Sequence, residues 1–263
     1  KGATFGKTKR KRIVDFNQGL DARFLTEEKM KRLAEIPLDP MRIAFDDIKY
    51  KDTYIKAIRL AHKYGQKNMS NYILYNFKDS PDDFYERLKI NIDLNEEFAS
   101  DGGVKTTIYS FPMRYIPLNA KNRDIDTGNH KWNKRYLRGV KIILNVTKGP
   151  VMPGAEFFYQ AFGRNAEEFK AILLMPEDFI RNRVIHNWRN VRGVKRLKPY
   201  VRNWMDTYFE LSHNERHRLV EILSSNGVST ITEEHKNGIN GKIKKLLSLH
   251  LKAQEEVSKY KNA

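Results

Sequence analysis

An α/β fold is what this sequence predicts: parallel strands forming a partial (β/α) barrel, with an α-helical extension behind them. Three observations lead there. Apolar runs of strand length alternate with amphipathic runs of helix length between residues 13 and 118. Gly and Pro mark most of the junctions. The intervening helices are too long for hairpins, so consecutive strands run parallel, and right-handed crossovers curve them into an arc or open barrel.

The elements follow in order. "IVDFNQ" (Ile13 to Gln18) reads as the first strand, with Gly19 ending it. Thr26 caps a helix whose first turn carries Glu27 and Glu28 and whose apolar side is Met30, Leu33 and Ala34; Pro37 and Pro40 close it. "MRIAFDD" (Met41 to Asp47) is the second strand, and "DTYIKAIRLAHKYG" the second helix, stopped at Gly65. "SNYILYNF" (Ser70 to Phe77) is the third strand. Ser80 then caps a long helix with Pro81 in its first position and Asp82 and Asp83 against the dipole. "VKTTIYSFPMRYIPL" (Val104 to Leu118) is a fourth strand, broken by Pro112.

Composition bounds the function. Hydrophobic content of 40% in 263 residues supports a packed core. A formal charge of +17 points to an anionic partner (nucleic acid, a phosphorylated substrate or an anionic surface) or to a solvated basic surface. With no cysteine, disulfides, thiol catalysis and cysteine-ligated metals are excluded within these residues, and a cytoplasmic location fits. No apolar run reaches membrane-spanning length, and "KGATFGKTKRKR" lacks the apolar stretch of a secretory signal. The chain starts at Lys1 rather than Met, so processing or a missing upstream segment is expected.

The strands carry unexpected polarity. A parallel strand covered by helices should be almost wholly apolar. Here Asp15 and Asn17 share a face of the first, Arg42 and Asp46 of the second, Asn76 ends the third and Ser110 lies near the end of the fourth. Buried polar groups need partners. This set either converges on a ligand or bonds to neighbouring loops and caps.

Taken in order, these segments resemble the radical S-adenosylmethionine enzymes over roughly Ile13 to Leu118. "DFNQGLDARFLTEEKMKRLAEI" is similar to their third strand and its helix, "MRIAFDD" to the fourth strand, "NYILYNFKDSPDDFYERLKINIDL" to the fifth, and "IYSFPMRYIPL" to the sixth. The family's Cys-x-x-x-Cys-x-x-Cys loop, which binds a [4Fe–4S] cluster, and its Gly-Gly-Glu element are not found, and Asn76-Phe77-Lys78-Asp79 stands where many members have a Gly-rich turn. The resemblance implies the carboxyl-terminal part of such an enzyme, with S-adenosylmethionine as cofactor and a cluster held only by a complete protein; these residues alone would be inactive. It implies Asp46 at the ribose hydroxyls, with Asn76, Ser110 and Asn17 also near the cofactor. Asp21, Arg23, Met113 and Arg114 are implied on the substrate side. It assigns no catalytic residue.

The second half divides into a loop or lid extension (119–164) and a basic helical region (165–263), behind the barrel part (1–118). Asn165 caps a helix, and Pro176 interrupts it. Between Arg181 and Arg202 there are eight basic residues and no acid, interleaved with Trp188, Tyr200 and Trp204. Bases stack on aromatics and phosphates pair with cations, so Arg189, Arg192, Lys195 and Arg196 are candidate nucleic-acid contacts; the plainer reading has core aromatics and a solvated basic face. His130 reads as a loop histidine, and His213 and His217 as surface residues, so no metal site is expected. Beside the radical-enzyme reading stand a non-catalytic nucleic-acid-binding protein and, last, a metal-free enzyme using Asp15 and Asp46 as acid and base.

Overall fold

The computed structural model describes residues 4–5, 8–9, 12–102, 105–118, 130–182, 198–225 and 239–261. The chain forms two compact units. The first comprises Lys1–Thr127 and Pro150–Ala155, the second Gly128–Gly149 and Glu156–Ala263. Among the described residues, no helix is long and apolar enough to cross a membrane.

The first unit opens on a short antiparallel pair, β1 (Thr4–Phe5) and β2 (Thr8–Lys9). Its centre is a four-stranded parallel sheet in sequential order: β3 (Leu20–Asp21), β4 (Met41–Ala44), β5 (Asn68–Tyr75) and β6 (Thr107–Arg114). The helices α1 (Glu27–Ala34), α2 (Lys51–Lys63) and α3 (Pro81–Ser100) are the crossovers. The parallel α/β architecture is therefore present as expected; these strands do not close into a barrel.

Local chemistry explains the elements. Thr26 Oγ1 accepts from the Lys29 N–H at the start of α1. Ser80 and Asp83 form a reciprocal capping box at α3, with Pro81 at its first position. Alternation along the strands sends Met41, Ile43, Met69 and Ile108 toward the helices, where they pack with Tyr54, Ala57, Ile58, Leu94 and Phe98.

Three sequence expectations need correction. The first strand is not Ile13 to Gln18. Val14 makes one bridge to Leu38, Ile13 and Phe16 stay exposed, and the strand is Leu20–Asp21, reached through a turn in which the Gly19 N–H donates to the Phe16 carbonyl at 2.7 Å. Gly19 takes φ +78°, which a glycine adopts without strain. Second, Pro112 does not break β6. The N–H and C=O of Ser110 point to the outer edge, where they bond to Val151, so alternation directs the nitrogen of Pro112 to that same edge, away from the ladder with β5. Third, the region 119–164 is not only loop, since it holds the helices below.

The second unit is helical: α4 (Lys134–Val146), α5 (Ala155–Phe162), α6 (Ala166–Leu174), α7 (Lys198–Phe209), α8 (His213–Ser225) and α9 (Gly241–Lys261). Phe169, Ala171, Ile172, Leu173 and Leu174 of α6 are wholly buried. α4 packs closely on it: a Cβ at Gly139 would lie 2.8 Å from the Leu173 carbonyl oxygen. The carboxyl end of α6 is capped from three other helices. Trp204 Nε1 donates to the Ala171 carbonyl at 3.0 Å, Arg135 donates to the Met175 carbonyl, and His250 bonds to the Leu174 backbone.

Candidate functional site

The first unit sorts its polar residues onto a helix-facing side, an open face and a rim at the carboxyl ends of the strands.

On the helix-facing side the polar groups bond to one another. Asn71 Nδ2 donates to the Tyr54 hydroxyl (3.0 Å), which donates to Asn91 Oδ1 (2.8 Å), and Asn91 Nδ2 donates to Ser110 Oγ (2.7 Å). Burial raises the Tyr54 pKa well above the ordinary phenol value. Ser110 is thus placed toward the helices, in a structural network. Arg87 is fully buried and ties the strand ends together. Its guanidinium donates to the carbonyls of Phe45, Asp46, Leu74 and Asp83 at 2.9–3.3 Å and to Asp79 Oδ2 at 2.8 Å. Asp79 Oδ1 also accepts from the Phe77 N–H, closing the turn after β5.

On the open face Arg42 is the centre. It pairs with both carboxylate oxygens of Asp15 (2.8 and 3.0 Å) and donates to Ser70 Oγ (3.1 Å). Its guanidinium lies 5.5 Å from the ring centre of Tyr72 and 5.9 Å from that of Phe111. The hydrogen bonds from Arg42 hold the Asp15 pKa below the usual carboxylate range. Asn17 is exposed and accepts from the Tyr72 hydroxyl at 3.1 Å.

The rim arises because the strands are parallel: the residues ending β3, β4, β5 and β6 fall on one edge, with neighbouring strands about 4.8 Å apart. Asp21 ends β3 and is held by Arg23 at 2.6 Å, an exposed ion pair that lowers the Asp21 pKa. Asp46 follows β4. The residue is exposed, yet enough protein surrounds its carboxyl that desolvation raises its pKa, against an opposing hydrogen bond from the Leu74 backbone and the charge of Arg87. Among the described residues no Lys, Arg or His lies at ion-pair distance from it. Asn76 is buried and adopts φ +66°, a conformation Asn tolerates better than most residues and one that glycine would take with ease. Met113 is half exposed. The Nε of Arg114 is buried without an acceptor, and among the described residues Arg114 has no carboxylate partner. Beyond them Phe77 and Tyr115 face each other at 4.5 Å between ring centres.

Asp46, Asn76, Met113 and Arg114 are therefore brought to one edge on adjacent strands. Asn17 joins the open face, Asp21 and Arg23 pair with each other, and Ser110 accepts from Asn91 on the helix-facing side. Asp15 and Asp46 have pKa values displaced in opposite directions. Sequence reasoning missed Arg87, which reaches Phe45 and Asp46 across 42 and 41 positions, and the Arg42–Asp15 pair, whose members are 27 positions apart. Arg189, Arg192, Lys195 and Arg196 lie outside the described residues. Trp204 is buried in the second unit, and Tyr200 stacks on Phe179 at 6.0 Å. No group of three or more His, Asp or Glu side chains suited to a metal ion is found among the described residues. No protein-family model, curated protein or solved structure matches the chain.

Proposed function

We propose that the first unit forms the S-adenosylmethionine and substrate wall of a radical S-adenosylmethionine enzyme, with its four strands an arc of the barrel. One observation carries the reading: on the rim of a sequentially ordered parallel sheet, a carboxylate (Asp46) and a guanidinium (Arg114) stand, among the described residues, without ion-pair partners on either side of β5. A nucleoside with an amino-acid tail has the complementary groups. Ribose hydroxyls donate to a carboxylate, and a carboxylate tail accepts from a guanidinium. Asp46 fits the first role, partly stripped of water and, among the described residues, with no cation at ion-pair distance from its carboxylate. Arg114 fits the second, with a buried donor in need of an acceptor. Arg87 holds the ends of β4 and β5 in place beneath them.

The residues present do not fit a [4Fe–4S] cluster, because none is a cysteine and thiolates are its usual ligands. In this reading the chain binds and orients the cofactor and substrate, and the thiolates belong to residues other than these 263.

Equilibrium dialysis with radiolabelled S-adenosylmethionine tests the proposal. Saturable binding is expected, weakened about tenfold or more by Asp46→Asn, which removes a charge-assisted acceptor. Ser110→Ala should bind as the native chain does. A folded chain that takes up no ligand, or an Asp46→Asn variant that binds normally, would sink the reading.

A further inference from the structure

The second unit carries a charged surface that the strand-end site does not use. Helix α4, "KRYLRGVKIILNV", contains four cations and no acid. At 100° per residue, Lys134, Arg138, Lys141 and Asn145 fall within about 60° of arc, and Lys148 follows just beyond the helix. All five are exposed. Arg138 pairs with Glu177 at 2.8 Å. Among the described residues, Lys134, Lys141 and Lys148 have no carboxylate partner. The stripe therefore presents mostly uncompensated ammonium groups, seven residues or about 10 Å apart along the helix direction.

The opposite face of α4 is occupied. Tyr136, Val140, Ile143 and Leu144 are buried, and Gly139 brings the helix against Leu173. A helix that lies in a membrane surface needs that apolar face for the acyl chains. Here it is committed to the core, so the exposed side offers charge without a hydrophobic anchor. A nucleic-acid strand, with one phosphate per about 3.4 Å of axis, is a partner that lysines about 10 Å apart suit without apolar help, each meeting about every third phosphate.

We propose that Lys134, Lys141 and Lys148 form a track for the phosphate backbone of a nucleic acid. The track is distinct in sequence from the Arg189–Arg196 run and independent of the S-adenosylmethionine reading.

The test is fluorescence anisotropy of the full chain with labelled single-stranded RNA and duplex DNA of mixed sequence, across a salt series. Two triple variants are compared: Lys134→Gln/Lys141→Gln/Lys148→Gln and, as a control for overall charge, Lys51→Gln/Lys56→Gln/Lys67→Gln on the first unit. Circular dichroism verifies that both fold. The slope of log K against log salt should shrink by roughly 2 to 3 in the α4 variant, at about 0.7–0.9 per lost phosphate contact, and stay unchanged in the control. Preference for RNA or for DNA identifies which strand the track carries. Equal losses in both variants, no binding at low salt, or loss only when Arg189, Arg192 and Arg196 are changed would overturn the proposal. So would tighter, α4-dependent binding to phosphatidylserine vesicles than to either nucleic acid.

Discussion

The helix-facing side of the parallel sheet and its rim use polar residues for opposite ends. Toward the helices, Asn71, Tyr54, Asn91 and Ser110 form a chain of hydrogen bonds, and Arg87 spends its donors on four carbonyls and a carboxylate. At the rim, among the described residues, Asp46 has no cation at ion-pair distance and Arg114 keeps a buried donor without an acceptor. A buried polar group that is already satisfied is architecture. One left open at an accessible strand end is available to a ligand. Burial limits the rule: Asn71 Oδ1 within the helix-facing network, and Arg135 Nε and His250 Nε2 in the second unit, also lack partners, but at 1%, 6% and 3% exposure these residues face a closed core.

Arg87→Met should break the contrast most severely. It leaves Asp79 buried without its cation and uncouples the ends of β4 and β5, at a cost of about 3–5 kcal/mol, read as a lowered urea midpoint. The second unit should respond to acid. Burial, with the nearby Arg135 charge, lowers the His250 pKa from 6.5 to about 3. The unfolded chain therefore takes up the proton first, and stability falls as pH drops below about 6.5 and levels off near 3. In His250→Leu that part of the acid loss should vanish, as followed by near-ultraviolet circular dichroism. Tyr54→Phe should cost about 1–3 kcal/mol, because two buried asparagines lose a partner, while leaving S-adenosylmethionine affinity intact. Asp46→Asn should have the smallest effect on folding, within about 0.5 kcal/mol, and the largest on ligand affinity. Since desolvation disfavours its charged form, replacing that charge should not lower thermal stability.

The sequence announced the elements whose signals are local. The Ser80–Pro81–Asp83 start of α3 was legible because the capping groups are three residues apart, and strand and helix runs differ in period. Pro112 misled because its effect depends on which edge its nitrogen faces, and the pairing partner sets that. The region 119–164 misled in the same way: expected as loop or lid, it holds α4, in which Gly139 sits where Leu173 leaves no room for a side chain. For the site, the residue types at the strand ends were readable, but their direction was not. Ser110 and Arg114 both lie on β6, and one closes a network with α3 while the other keeps an unfilled donor. Arg42 and Asp15 are 27 positions apart, and Arg87 reaches Phe45 across 42. No pattern in the intervening residues signals those pairings.

The most direct test of the contrast is nuclear magnetic resonance of the asparagine side-chain amides during titration with S-adenosylmethionine. The account predicts that the Asn76 amide shifts with saturation while those of Asn71 and Asn91, bonded within the helix-facing network, stay in place. Saturable shifts at Asn71 and Asn91 with Asn76 unmoved, or no shift at any of the three, would contradict it.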